Sequence, residues 1–122
     1  IKIRDKQGLI KVISSVPYPE LRILLKAVDC AVIPSVSEGF GYSTAEAVAM
    51  EKPIVVSDAG ALPEVVAGKY LIFSQKNVED LTEKLIQMAQ GTFQETEKKK
   101  FEWKETITKY LRTYNLLLDN DQ

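Results

Sequence analysis

The sequence predicts an α/β domain built on a doubly wound parallel sheet. Apolar or β-branched runs alternate along the chain with segments of helical periodicity, which is the order expected for parallel strands joined by right-handed crossovers. Two of these runs, CAVIP (30–34) and PIVVS (53–57), are apolar almost throughout, as is typical of strands covered on both faces. A glycine-rich turn lies between these two runs, where a ligand site of such a sheet is expected.

The elements in the first part of the chain follow from simple patterns. KVISSV (11–16) is rich in β-branched residues and predicts a short strand. PELRILLKAV (19–28) places its leucines on one helical face, and Pro19 suits a first helical turn. The apolar run 30–34 then predicts the next strand.

The central elements continue the alternation. STAEAVAM (43–50) predicts a helix, in which the small side chains of Ala45 and Ala49 allow close packing. The run 53–57 predicts a buried strand, and ALPEVVA (61–67) predicts a short helix with a proline near its start.

The last third of the chain ends the alternation. YLIF (70–73) predicts a strand, and residues 77–90 predict an amphipathic helix with Asn77 as its cap. Gly91 and a run of charges interrupt the pattern, so residues 91–100 are predicted to be a solvated connector before a final helix.

Bulk composition excludes several function classes. The 122 residues suit one domain, and the formal net charge of -1 provides no electrostatic attraction for nucleic acid or a membrane surface. We therefore expect no nucleic-acid partner. No segment resembles a signal peptide or a transmembrane helix, so we expect no intrinsic membrane segment. We also expect no metal site. The single cysteine, Cys30, lies in an apolar run and is expected to pack as a small hydrophobe, which fits a cytoplasmic setting. Histidine is absent, so an imidazole base must come from outside this chain.

The turn SEGFGYS (37–43) is the first candidate site. Gly39 and Gly41 remove side chains where a ligand could approach the backbone. The free N–H groups of Gly41, Tyr42 and Ser43 are expected at the positive end of the following helix, where anions bind. The turn therefore predicts a phosphate cradle, with a tight connection that binds nothing as the alternative.

Two carboxylates bracket this turn. Glu46 stands three residues after Ser43, the spacing of a capping box, in which it would accept from the Ser43 N–H. Glu38 has a plain alternative as a solvated loop carboxylate. Beside a phosphate cradle, however, two carboxylates suit a ligand that carries both phosphate and hydroxyl groups, such as a sugar nucleotide.

The segment AVIPSVSEGFGYSTAEAVAMEKPIVVSDAGALPEVV (31–66) resembles the signature of the group 1 retaining glycosyltransferases, which have the GT-B fold. The spacing of Glu38 and Glu46 matches their E-x7-E motif. The resemblance extends upstream to residue 11 and downstream through GKYLIF (68–73) and FEWKETITKYLRTY (101–114). It implies that the sheet is Rossmann-like and forms part of the C-terminal domain of a GT-B enzyme.

The resemblance also implies a role for each matching position. The residue at Glu46 holds the ribose hydroxyls of the donor nucleotide, and the residue at Glu38 faces the transferred sugar, which makes Glu38 the expected catalytic residue. The turn meets the sugar hydroxyls and the diphosphate, and the segment 16–18 borders the nucleobase. The further donor-binding residues expected on this basis are Val16, Pro17, Tyr18, Gly39, Phe40, Gly41, Tyr42 and Ser43.

The expected activity is sugar transfer from a nucleoside-diphosphate sugar, without a cofactor. A separate N-terminal domain of the family binds the acceptor, a sugar or a lipid-linked glycan, and carries a catalytic histidine. We therefore expect residues 1–100 to be part of the donor-binding domain and this chain alone to be inactive. Residues 101–122 are expected to form a helix that packs on the missing domain, through which the protein could attach peripherally to a membrane.

The final helix carries an apolar stripe at helical spacing. The family's last helix packs back on the partner domain, which predicts exposure of part of this stripe here, and packing on this domain's own sheet is the alternative. The stripe consists of Trp103, Ile107, Tyr110, Tyr114 and Leu117.

Some positions depart from the family pattern. Glu51 stands where the family usually has glycine, and Ala61 stands where a second glycine is common. The family binds the diphosphate with cations at the front of its domain. This chain has no counterpart of them in a strand–loop–helix context, although Arg4 and Lys6 are basic.

Three rival classes compete with this interpretation: a receiver-type signalling domain, a non-catalytic nucleotide-sugar-binding or interaction module, and a sugar-nucleotide epimerase of the same fold. The intact Glu38 and Glu46 disfavour a decayed, non-catalytic site.

Overall fold

A computed structural model describes residues 8–119 of the chain. The strands are β1 (Ala31–Ile33), β2 (Ile54–Ser57), β3 (Lys69–Phe73) and β4 (Gln94–Glu95). The helices are α1 (Tyr18–Ala27), α2 (Tyr42–Ala49), α3 (Leu62–Val65), α4 (Val78–Ala89) and α5 (Trp103–Asp119).

The four strands form one open sheet in the order β1-β2-β3-β4. The first three strands are parallel, with Val55 of β2 opposite Val32 of β1 and opposite Leu71 of β3. The last strand is antiparallel to β3 and pairs Glu95 with Lys69. The prediction of an α/β fold with parallel central strands is confirmed.

Helices cover both faces of β2, which explains why this strand is apolar over three consecutive residues. Ile54, Val55 and Val56 are all 0% exposed. Successive side chains of a strand point to opposite faces, so the strand contributes to two cores. The first core joins Ile54 and Val56 to α2 and α3, and it consists of Ala31, Ala47, Ile54, Val56, Ala59, Leu62 and Val66. The second joins Val55 to α4, and it consists of Val55, Leu71, Phe73 and Met88.

Two expectations for local structure are wrong. Residues 11–16 form no strand and are mostly exposed. β-Branched side chains favour a strand only where the backbone finds a pairing partner, so composition misled the prediction there. Residues 91–100 are more than a connector, because Gly91 has a φ of +76° and the chain then pairs as β4 along the edge of β3. The Thr96 N–H donates to the Gly68 carbonyl at 3.0 Å and extends this pairing.

The helix ends are held by specific groups. Asn77 is the N-cap of α4, as predicted, and its side chain accepts from the Asp80 N–H at 3.0 Å. The Lys52 ammonium donates to the Lys26 carbonyl at 2.7 Å and to the Val28 carbonyl at 2.9 Å. These carbonyls lie at the end of α1 and have no N–H partner within the helix, and a cation there also complements the helix dipole. Because α1 has no buried residue, this cap and a partial contact through Leu25 attach it to the rest of the domain.

The final helix is exposed along its apolar stripe. Each of the five stripe residues is at least half exposed, so the helix does not bury the stripe on this domain's own sheet. The exposed side chains are Trp103, Ile107, Tyr110, Tyr114 and Leu117.

The structure at the end of α2 explains why the family usually has glycine at the position of Glu51. The Glu51 N–H donates to the Val48 carbonyl and the Lys52 N–H donates to the Ala47 carbonyl, both at 3.0 Å. This pair of bonds is a Schellman motif, which requires a left-handed residue after the helix. Glu51 has a φ of +57° and takes that position.

We predict that Glu51→Gly stabilises the protein. Glycine adopts a left-handed φ without the steric cost that a Cβ imposes, although it is also more flexible in the unfolded chain. The free energy of unfolding, measured by chemical denaturation, should rise by about 0.5–1 kcal/mol.

Glu51→Ala is the control for this prediction. It removes the 3.3 Å ion pair of Glu51 with Lys98 but keeps the Cβ in the left-handed region. The alanine variant should therefore show no gain, and equal stability of the glycine and alanine variants would contradict the explanation.

Thr44 places a hydroxyl in the core near the start of α2. The residue is 0% exposed, and its Oγ1 has no hydrogen-bond partner among residues 8–119. A buried polar group without a partner costs about 1–3 kcal/mol.

We predict that Thr44→Val, which replaces the hydroxyl by a methyl group of similar size, raises the free energy of unfolding by about 1 kcal/mol. Thr44→Ser keeps the hydroxyl and removes a buried methyl group, so it should destabilise the protein. Thermal and chemical unfolding of the three proteins would check this order, and a valine variant less stable than wild type would show that the hydroxyl has a partner in solution.

Candidate functional site

The candidate site lies at the carboxyl ends of β1 and β2. The loop 34–41 follows β1 and the loop 58–61 follows β2, and because these strands are parallel neighbours, their loops emerge at the same edge of the sheet. The sequence predicted the glycine-rich turn at this edge.

Gly41 opens the helix α2. It is the N-cap, with a left-handed φ of 90° and ψ of 59°, and the helix begins at Tyr42, one residue earlier than predicted. The left-handed conformation favours glycine here, and a Cβ at Gly41 would lie 2.5 Å from Leu62 Cδ2, so the buried Leu62 side chain would have to shift to admit it.

The start of α2 has the features of an anion site. The first intrahelical bond runs from the Ala45 N–H to the Gly41 carbonyl at 3.0 Å. The N–H groups of Tyr42, Ser43 and Thr44 precede it and have no acceptor within the helix. No acidic side chain lies in the first turn of α2. The acidic side chain beside it is that of Glu38, whose Cγ would lie 3.5 Å from a Cβ at Gly41.

The capping box, which was the alternative role for Glu46, does not form. Because Gly41 is the N-cap, Ser43 lies inside the first turn, and no side chain caps the helix. Glu46 is half-buried on α2, and its carboxylate makes no hydrogen bond or ion pair within the described part of the chain. The earlier helix start, set by the left-handed Gly41, thus removes the structural role that the sequence offered for Glu46.

Glu46 lines a cleft between α1 and α2 with a volume of about 260 Å³. Tyr18, the first residue of α1, lies on the same cleft, which brings the segment predicted for the nucleobase beside the carboxylate predicted for the ribose. Pro17 is the N-cap of α1, and Val16 before it is half-buried. The lining residues are Tyr18, Leu21, Arg22, Leu25, Glu46, Ala49 and Met50.

Arg22 and Met50 were missed as site residues. The helical spacing of Tyr18, Leu21, Arg22 and Leu25 could have identified Arg22, since these four residues share one side of α1. Met50 carries no comparable signal, because it belongs to the site only through the packing of α2 beside α1.

Glu38 lies apart from this cleft. Its side chain is half-buried, and its Oε2 accepts from the Ser35 hydroxyl at 3.4 Å. Its backbone carbonyl accepts from the Ala61 N–H at 3.4 Å. Ala61 has a φ of -81°, so the position where a second glycine was expected needs no glycine in this structure.

The aromatic residues of the turn face the start of α5. The Phe40 ring centroid lies 5.1 Å from that of Tyr42 and 5.2 Å from that of Phe101, the latter pair edge to face at 81°. A second cavity of about 280 Å³ opens beside them, with Trp103 in its wall. The turn and the segment that begins α5 are therefore in direct contact.

The predicted site residues thus fall into two groups. Tyr18 and Glu46 share the first cavity, and Phe40 and Tyr42 share the second, while Glu38 lines neither. Gly39 is exposed in the loop, and a Cβ at this position would meet no atom within 4 Å. Arg4 and Lys6 lie outside the described residues.

Residues 8–119 contain neither a metal-binding cluster nor a membrane-spanning helix. No group of three or more histidine, cysteine or carboxylate side chains in this range is arranged to hold a metal ion. None of the helices in this range combines the length and the hydropathy needed to cross a bilayer.

Comparisons with known proteins place the chain in a family. The model of the family described as glycosyl transferases group 1 matches residues 1–109. An uncharacterized glycosyltransferase of Methanocaldococcus jannaschii is 28% identical over 96% of this chain and 36% of its own length. The O-antigen chain mannosyltransferase B of Escherichia coli is 30% identical over 92% of this chain and 32% of its own length.

A third relative has a higher identity over a shorter range. It is the N,N'-diacetylbacillosaminyl-diphospho-undecaprenol alpha-1,3-N-acetylgalactosaminyltransferase of Campylobacter jejuni, which is 44% identical over 51% of this chain and 17% of its own length. No solved structure matches the chain. The chain spans about a third of the length of the first two relatives. With its mostly parallel sheet and a family match over most of its residues, the chain belongs to the group 1 glycosyltransferases.

Proposed function

We propose that this chain is the donor-binding part of a retaining glycosyltransferase that transfers a sugar from a nucleoside-diphosphate sugar to an acceptor. One observation carries the proposal: the unpartnered Glu46 and the free N–H groups at the start of α2 belong to the same helix. A carboxylate accepts from ribose hydroxyls and a helix N-terminus binds phosphate, so the helix offers both halves of a nucleotide-sugar site.

Each part of the site, backbone or side chain, has a distinct role in this proposal. The diphosphate binds the N–H groups of Tyr42 and Ser43, with Gly39 and Gly41 allowing close approach of the backbone. Glu46 accepts from the ribose hydroxyls, and the base lies in the cleft against Tyr18. Glu38, the first carboxylate of the E-x7-E spacing, faces the transferred sugar and is the proposed catalytic residue.

The remaining machinery is proposed to lie outside this chain. A donor-binding part must be joined to an acceptor-binding part, and the exposed stripe of α5 is the surface on which we place the partner domain. A sugar or lipid-linked glycan is the proposed acceptor class, since one relative's name specifies an undecaprenol-diphosphate-linked substrate. The isolated chain should then bind donor nucleotide without transferring sugar.

The second candidate function is a nucleotide-sugar-binding or interaction module without transfer activity. Within residues 8–119, Lys52, Lys98 and Lys99 all hydrogen-bond to protein groups, so each would have to exchange a protein partner for the diphosphate. The two candidate functions are distinguished with the full-length protein that contains this chain. Binding and sugar transfer are both measured with a panel of nucleoside-diphosphate sugars. Binding with no transfer from any donor would favour the module.

We predict that Glu46→Ala weakens donor binding in the full-length protein. Loss of two charged hydrogen bonds to the ribose should reduce nucleoside-diphosphate affinity by roughly 2–4 kcal/mol, with water offsetting part of the loss. Isothermal titration with the nucleoside diphosphate and with its 2′,3′-dideoxy analogue measures this. Wild type should prefer the natural ligand, and Glu46→Ala should bind both alike.

Glu79→Ala is the matched control, because Glu79 is an exposed carboxylate in the first turn of α4. It should leave both affinities unchanged. Equal binding of the two ligands by wild type would remove Glu46 from the ribose site.

We predict that Glu38→Ala acts mainly on kcat. A group that faces the transferring sugar contributes in the transition state, whereas the ribose and the base supply most of the binding. The affinity for free nucleoside diphosphate should stay near the wild-type value while sugar transfer falls. A variant with normal kcat would show that Glu38 is a loop carboxylate.

A further inference from the structure

We propose that Ser57 and Gly60 are positioning residues, which hold Glu38 in place from the neighbouring loop. This inference rests on the proposed function, because it supposes that Glu38 faces the transferred sugar. Neither residue has a role in the site described above. Both belong to the segment 57–61 at the end of β2, which we call the supporting loop.

The first contact of the supporting loop is a buried hydrogen bond. Ser57 is 0% exposed, and its hydroxyl donates to the Ser35 carbonyl at 2.6 Å. Ser35 in turn donates from its own hydroxyl to Glu38 Oε2 at 3.4 Å. Ser57 therefore fixes the backbone of the residue whose side chain contacts the Glu38 carboxylate.

The second contact is between backbones. Gly60 has a left-handed φ of +53°, and a Cβ at this position would collide with the Glu38 carbonyl. The Ala61 N–H donates to that same carbonyl at 3.4 Å. The absence of a side chain at Gly60 thus allows the two loops to touch directly at the residue proposed to act on the sugar.

The supporting loop is itself anchored on the far side. The Asp58 N–H donates to the Phe73 carbonyl at 2.9 Å, and the Asp58 carboxylate accepts from the Gln75 N–H at 2.8 Å. These bonds tie the loop to the end of β3. A continuous set of contacts therefore runs from β3 through the supporting loop to Glu38.

The arrangement separates positioning from binding. Neither Ser57 nor Gly60 lines the cleft that contains Tyr18 and Glu46. Removing the Ser57 hydroxyl should let the loop 35–38 move while the nucleotide cleft keeps its shape. Small displacements of a reacting group reduce the rate by large factors, so the effect should appear in kcat and not in nucleotide affinity.

The test uses two substitutions of equal shape at Ser57 in the full-length protein. Ser57→Thr keeps a hydroxyl and Ser57→Val does not, and both add the same bulk to a buried position. We expect Ser57→Val to lower kcat at least about tenfold relative to Ser57→Thr, with nucleoside-diphosphate Kd equal within about twofold. Ser57→Ala, which adds no bulk, should resemble the valine variant.

Hydrogen exchange supplies a readout that does not depend on activity. The Ala61 amide, which donates to Glu38, should exchange about fivefold or more faster in Ser57→Val than in Ser57→Thr, while amides of α4 exchange alike in both. Gly60→Ala should lower kcat further, but the Ser57 pair decides the question because it leaves the backbone conformation intact.

The outcomes distinguish this inference from the proposed function. Equal kcat and equal Ala61 exchange in the threonine and valine variants would overturn the positioning role. A parallel fall of kcat, nucleotide affinity and unfolding temperature would also overturn it, because that result means general destabilisation. If wild type transfers no sugar, the proposed function fails, and if Glu38→Ala retains full kcat, the proposed role of Glu38 fails. In either case the exchange comparison still decides whether Ser57 holds the loop.

Discussion

The parallel pairing of β1 with β2 is the constraint on which the candidate site depends. With Val32 opposite Val55, the two strands end side by side, and the loops that follow them must share one edge of the sheet. Without this pairing, Glu38 would have no neighbouring loop to contact, and α2 would not start beside that loop. The burial of β2 on both faces fixes the register, since its side chains fill two separate cores.

Two glycines convert this shared edge into a defined shape. Gly41 takes a left-handed conformation that starts α2 early and leaves its first N–H groups open, and Gly60 lets one loop contact the backbone of the other. Glu51 also adopts a left-handed φ, although it has a Cβ. The hydrogen bonds that end α2 offset the steric cost of that conformation. Backbone conformation, more than side-chain chemistry, therefore determines how the site is built.

The segment that begins α5 links the turn to the end of the chain. Phe101 packs edge to face on Phe40, although the helix that follows exposes its apolar stripe. The glycine-rich turn is thus in contact with the segment that leads into the last helix. The proposed partner domain, placed on that stripe, would contact Trp103, which belongs both to the stripe and to the cavity beside Phe40.

The sequence by itself determined the alternation of strands and helices, the central parallel pair and the position of the turn, because hydrophobic periodicity and glycine placement are local properties. It failed for residues 11–16, where β-branching predicted a strand, and for β4, where charge predicted a connector, because strands form only through distant pairing partners. It also offered Glu46 as part of a capping box, which does not form in the structure. Only the tertiary structure decided that Gly41 starts the helix and that Ser57 reaches Ser35, since both depend on contacts between segments far apart in the chain.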